Sequence, residues 1–156
     1  MQQPAVLFVC LGNICRSPLA EAAFRAECQR VGLSAKVDSA GTGHWHIGAP
    51  PDRRAQTVAA RHGIDISSYR GRQVEDADFN QFTHIIALDD FNLLDLRKLQ
   101  PVDATAELSL LLDHVPGRAG EPVADPYYGD SSGFDTTWRD VTEGAQGLAA
   151  ALLARG

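Results

Sequence analysis

Pro4-Ala5-Val6-Leu7-Phe8-Val9 is an unbroken apolar stretch that runs straight into Cys10-Leu11-Gly12-Asn13-Ile14-Cys15-Arg16-Ser17-Pro18. An apolar run of this length, with Val6 and Val9 β-branched, predicts a strand covered on both faces, and therefore a central one. Ser17-Pro18 then supplies an N-cap and a first-turn proline, after which Leu19, Ala22, Ala23 and Ala26 recur at helical spacing up to Gly32. The order is strand, loop, helix.

Working outward, the same unit repeats. Ala35-Lys36-Val37-Asp38-Ser39 alternates like a short strand, and Arg53 to His62 reads as a helix stopped by Gly63. His84-Ile85-Ile86-Ala87-Leu88 is another buried-strand candidate, and Asp89 or Asp90 can cap a helix that runs through Leu99 and is ended by Pro101. A weaker element lies around Ala106 to Leu112. The Val115–Asp130 loop that follows is long enough to be suspected of function. A last helix starts near Ser132 to Phe134, with Val141, Ala145, Leu148 and Leu152 as its apolar stripe. Strands alternating with helices predict an α/β domain with a parallel sheet, helices on both faces, and a ligand site beyond the carboxyl ends of the strands. The loop after Val9 falls there.

The chain has 156 residues, which suits one domain over 1–156 that buries about 68–70% of its unfolded surface. A net charge of −6 makes nucleic acid and anionic membrane surfaces poor partners, so any phosphate site must be local. Met1-Gln2-Gln3-Pro4 lacks a basic leader, and the apolar run from Ala5 to Leu11 is too short to span a bilayer. Cys10, Cys15 and Cys28 cannot build a disulfide framework, and together these features predict a cytoplasmic protein.

The loop has the chemistry of an anion cradle. Cys10 at a strand end and Arg16 at a helix start have five residues between them. Gly12 and Asn13 tolerate positive φ, which lets successive N–H groups turn inward, and the helix N-terminus adds its own free N–H groups and partial positive charge. A thiol has a reference pKa near 8.5, and such surroundings lower it to roughly 3.5–7.5; Cys10 is the predicted nucleophile. Arg16 offers planar, two-pronged recognition of phosphoryl oxygens. Ser17 can donate a hydrogen bond to the sulfur.

This stretch resembles the loop of the low-molecular-weight protein tyrosine phosphatases. The resemblance continues in order through Ser39-Ala40-Gly41-Thr42, Gly48-Ala49-Pro50-Pro51-Asp52, His62-Gly63-Ile64, Asp78-Phe79, Asp89 with Asn92-Leu93, and Asp125-Pro126-Tyr127-Tyr128-Gly129. It implies a three-layer fold on a four-stranded parallel sheet. It also implies hydrolysis of protein phosphotyrosine through a phosphocysteine on Cys10, with Arg16 binding the transferred group and no metal or cofactor. Asp125, which by itself reads as the start of an Asp-Pro turn, becomes the general acid.

The remaining roles also come from the resemblance. Loop residues Leu11, Gly12, Asn13, Ile14, Cys15 and Ser17 would cradle substrate phosphate, or inorganic phosphate or vanadate. Trp45, Tyr127 and Tyr128 would wall a slot for an aryl ring, its depth excluding phosphoserine. Ser39 and His62 would support Asn13. An aliphatic residue at Ile14 goes with phosphotyrosine, and threonine there with phosphoarginine. From the residues themselves, Cys15 shares the loop with Cys10 and could close a reversible disulfide with it under peroxide, while Cys28, mid-helix, reads as packing. His44 and His46 flank Trp45 as His-x-His without an evident third metal ligand. Two rivals remain. A thioredoxin-coupled arsenate reductase of the same fold would need a downstream resolving cysteine, a place neither Cys15 nor Cys28 occupies; a non-catalytic phosphotyrosine-binding module should lack the nucleophile and the acid.

Overall fold

The computed structural model describes residues 3–155; Met1, Gln2 and Gly156 lie outside them, the first two belonging to the N-terminal stretch read above as free of a leader. Four strands, β1 (Ala5–Cys10), β2 (Lys36–Gly41), β3 (His84–Ala87) and β4 (Glu107–Leu110), form one parallel sheet in the order β2-β1-β3-β4. The apolar run is thus central: Val6 pairs with Val37 on one side and His84 on the other.

The strand period of two splits β1 between two cores. Val6, Phe8 and Cys10 pack with α1 (Arg16–Val31), α2 (Arg53–Arg61) and α5 (Ser132–Arg155). Ala5, Leu7 and Val9 pack on the opposite face with Phe79 of the short α3 (Asp78–Gln81) and Leu93 and Leu96 of α4 (Asp90–Leu99). A one-turn 3-10 helix, Leu111–His114, follows β4. Each Å² of apolar surface these two layers remove from water contributes about 25 cal/mol toward folding.

Several local expectations are corrected. Helix α1 begins at Arg16, and its N-cap is Cys15 without a side-chain cap bond, so Ser17 is inside the first turn and its hydroxyl is free for other work. Ala26 is exposed; the buried face runs instead through Leu19, Ala20, Ala22, Ala23 and Phe24, because α1 is covered by both the sheet and α5. Asp89, not Asp90, caps α4 by accepting a hydrogen bond from the Asn92 amide. Among the described residues no helix is long and apolar enough to cross a membrane.

Candidate active site

β1 ends at Cys10 and α1 starts at Arg16, so the chain must reverse within Leu11–Cys15 at the carboxyl edge of the sheet. Asn13 makes the turn with φ 57, the left-handed region. Gly12, expected to share it, does not take a positive φ; it serves close approach, since a Cβ there would lie 3.1 Å from Cδ2 of His46. Gly41 does the same at the end of β2, where a Cβ would meet the Leu11 carbonyl oxygen at 2.7 Å. That lets Thr42 and Gly43 donate to the Cys10 and Leu11 carbonyls at 3.0 and 2.9 Å. Among the described residues, no amide from Leu11 to Ser17 donates to a protein acceptor. The carbonyl side of the loop is thus engaged while a row of N–H groups is left for a ligand.

Behind the loop the hydrogens can be followed one by one. The Arg72 amide donates to Asn13 Oδ1 at 3.0 Å, which fixes the orientation of the carboxamide. Its Nδ2 therefore donates twice, to Ser17 Oγ at 2.8 Å and Ser39 Oγ at 3.0 Å. Ser39 passes its own hydrogen to Glu21 Oε1 at 2.7 Å. Ser17, already accepting, has its hydrogen free for Cys10 Sγ at 3.0 Å. Glu21 is 5% exposed, and burial raises its pKa, opposed by hydrogen bonds from Ser39 and Arg25. Asn13, Ser17 and Ser39 are accordingly buried supports rather than walls of the cavity: of the predicted cradle, the cavity is lined by Cys10, Leu11, Gly12, Ile14, Cys15 and Arg16.

Arg16 is 3% exposed. Its Nη1 donates to Asp89 Oδ2 at 2.6 Å and to the Val123 carbonyl at 3.0 Å, whereas Nε and Nη2 have no hydrogen-bond acceptor among the described residues. Burial opposes its charge, but Cys10, Asp89 and Asp125 together raise its pKa above the ordinary value. Asp125 Oδ2 stands 3.6 Å from Nη2, and Oδ1 accepts the Tyr127 amide at 3.0 Å. Burial pushes the Cys15 thiol up, with the carboxylate of Asp52 and the sulfur of Cys10 adding to the effect.

The cavity above the loop has a volume of about 310 Å³. Trp45, His46, Asp125, Tyr127 and Tyr128 complete its lining, so the two tyrosines, the tryptophan and Asp125 share one cavity with Cys10. The Tyr127 and Tyr128 rings meet edge to face at 4.9 Å, and His44 stacks on Trp45 at 5.4 Å. His62 is not brought here. It ends α2 as its C-cap and stacks on Trp138 at 4.9 Å rather than supporting Asn13; Ser39 does meet Asn13, and Glu21 accepts the Ser39 hydrogen. Arg72 and Arg54 serve the site without any signal of it having been read in the sequence, and Asp52 and Asp89, which carry part of the resemblance, had no role assigned beyond a possible cap at Asp89. An arginine two residues after a helix-capping aspartate was the one visible signal.

A family model described as low molecular weight phosphotyrosine protein phosphatase matches residues 5–155. The low molecular weight protein-tyrosine-phosphatase YfkJ of Bacillus subtilis is 41% identical over 150 residues, 95% of this chain and 95% of its own. Its crystal structure is similar with a TM-score of 0.91 at 39% identity, covering 99% of this chain and 98% of that one. A protein tyrosine phosphatase from Entamoeba histolytica, solved with Hepes in the active site, gives a TM-score of 0.90 at 33% identity, covering 97% of each chain. The Drosophila arginine phosphatase DARP gives 0.87 at 33% identity, covering 94% of this chain and 96% of that one.

Proposed function

The chain belongs to the low molecular weight phosphotyrosine protein phosphatases, and from that premise we propose that it hydrolyses phosphotyrosine in proteins through a phosphocysteine on Cys10. The observation that carries the reading is the row of unpartnered amides from Leu11 to Ser17 beside the free Nε and Nη2 of Arg16. Phosphoryl transfer needs positioning and charge stabilisation more than covalent help, and a cradle of this kind supplies both.

In the first step Cys10 Sγ attacks phosphorus in line, the bond to the phenolic oxygen breaks, and Asp125 gives that oxygen its proton. In the second step Asp125 takes a proton from water, the water oxygen attacks phosphorus, and the S–P bond breaks. Ser17 donates to the departing sulfur. Trp45, Tyr127 and Tyr128, which line the cavity with Cys10, receive the aryl ring; because Cys10 is buried, the shorter phosphoserine would not bring phosphorus to its sulfur. A working thiol beside Cys15 suits a reducing compartment, and we read the enzyme as cytoplasmic; fractionation that finds the activity elsewhere would contradict this.

The test is hydrolysis of 4-nitrophenyl phosphate, with vanadate as inhibitor. Cys10→Ser is expected to abolish turnover, and Asp125→Asn to lower it by about 10²–10⁴-fold. Wild-type rates in either variant would exclude the assigned roles, and arsenate-dependent consumption of thiol would favour a reductase. The relation to an arginine phosphatase makes a second substrate worth measuring. With Ile14 in the loop, a phosphotyrosine peptide should turn over faster than its phosphoarginine equivalent, and the reverse order overturns the choice of substrate.

A further inference from the structure

We infer that Arg54 is a strut that holds the loop bearing Asp125 against the phosphate loop, and so positions the proton donor. The inference rests on the reading of Asp125 as general acid. Among the described residues, the main-chain groups of 124–129 receive hydrogen bonds from outside that segment at two carbonyls, and both come from Arg54. Nη2 donates to the Tyr127 oxygen at 3.0 Å and Nη1 to the Gly129 oxygen at 3.2 Å. Without them, the segment's remaining polar link to the site is the long contact of Asp125 with Arg16 at 3.6 Å.

The other end of the strut is anchored in the phosphate loop. Asp52 caps α2 by accepting the Arg54 amide at 2.8 Å, and its two carboxylate oxygens accept Nε and Nη2 of the same residue at 3.0 Å each. The Asp52 amide in turn donates to the Ile14 carbonyl at 2.8 Å. A continuous chain thus runs from Ile14 through Asp52 and the guanidinium to Tyr127 and Gly129. The guanidinium also lies 4.7 Å from the Phe134 ring centre and 5.7 Å from that of Tyr127. Only a planar group with donors on three nitrogens can hold one carboxylate and two carbonyls at once; a lysine ammonium lacks that shape. Arg54 touches no reacting atom, so its role is positioning.

A misplaced acid penalises leaving groups in proportion to their need for a proton. In kcat/KM, which reports transfer to Cys10, Arg54→Met should lose about tenfold or more on phenyl phosphate and less than about threefold on 2,4-dinitrophenyl phosphate, within the range that general acid catalysis contributes. Arg54→Lys, which keeps the charge and the stem, should fall between Met and wild type. Asp125→Asn should show the same selectivity more strongly, and Arg54→Met added to it should cause little further loss. Equal losses on the two substrates, or full additivity with Asp125→Asn, would overturn the strut. Leaving-group selectivity absent from Asp125→Asn itself would instead show that the general-acid reading has failed, and the strut's function with it.

Discussion

At position 13 one side chain holds the shape of the loop and the hydroxyl that faces the sulfur. Asn13 is the non-glycine residue at positive φ among those described, and its carboxamide makes three hydrogen bonds that hold the turn and direct Ser17 toward Cys10. Asn13→Ala would face a left-handed backbone at about 1–2 kcal/mol and lose bonds worth roughly 1 kcal/mol each. The expected outcome is a lower melting temperature together with a lower kcat/KM; a variant that melts earlier but turns over normally would show that Ser17 does not depend on Asn13. Cys15 lines the same cavity as Cys10, so peroxide should inactivate the enzyme reversibly, and failure of a reductant to restore activity would exclude a Cys10–Cys15 disulfide. Cys10 and Arg16 were legible because strand, loop and helix signals met on one short stretch, whereas Asp125-Pro126-Tyr127-Tyr128 reads by itself as a turn and was singled out only through the family resemblance. Asp89 was not legible, since its cap is a local signal while its second oxygen serves Arg16 from 73 positions away. At Ser17 only the cap reading failed: Ser-Pro looks like an N-cap, yet the helix opens at Arg16, and the hydroxyl lies 3.0 Å from the sulfur seven positions earlier, the contact expected of it.

Helix α5 shows how a fold can reverse the usual effect of a substitution. Gly→Ala in a helix interior ordinarily gains about 1 kcal/mol. At Gly147, however, an added Cβ would land on the His114 carbonyl oxygen, where backbone must move. Overpacking of this kind costs typically about 1–3 kcal/mol, so Gly147→Ala should lower the midpoint of chemical denaturation, and a rise would show that the 3-10 turn yields easily. The apolar stripe of α5 was readable from its 3.6-residue period, and Val141, Ala145, Leu148 and Leu152 are all buried. The close approach at Gly147 was not, because nothing local marks where another element crosses. Helix α3, four residues long, carries too little of a period to be seen.

For the whole molecule, the acid side of the stability curve should be set in part by two histidines away from the site. Burial pushes the pKa of both His84 and His114 below the ordinary value, with Glu107 opposing at each, Asp113 also opposing at His114, and Arg155 reinforcing the shift at both. His84 Nδ1 lies 2.8 Å from Thr83 Oγ1, its Nε2 lies 3.1 Å from Arg155 Nη1 and can accept from it in the neutral ring, and Ser109 meets His114 at 2.9 Å. The unfolded chain, with histidine near about 6.5, then takes up protons before the folded one. Stability is full above that value and falls as pH drops through it toward the folded pKa. The melting temperature should decline between about pH 7 and pH 5.5, less steeply in His84→Gln; a flat or rising trend contradicts this. The whole mechanism turns on a covalent phosphoryl group carried by one sulfur. Its most direct test is to mix the enzyme with ³²P-labelled 4-nitrophenyl phosphate, quench into denaturant within one turnover, digest and map the label. Label is expected on the peptide carrying Cys10 and none in Cys10→Ser; label on another residue, or hydrolysis with no labelled peptide, would rule out the phosphocysteine.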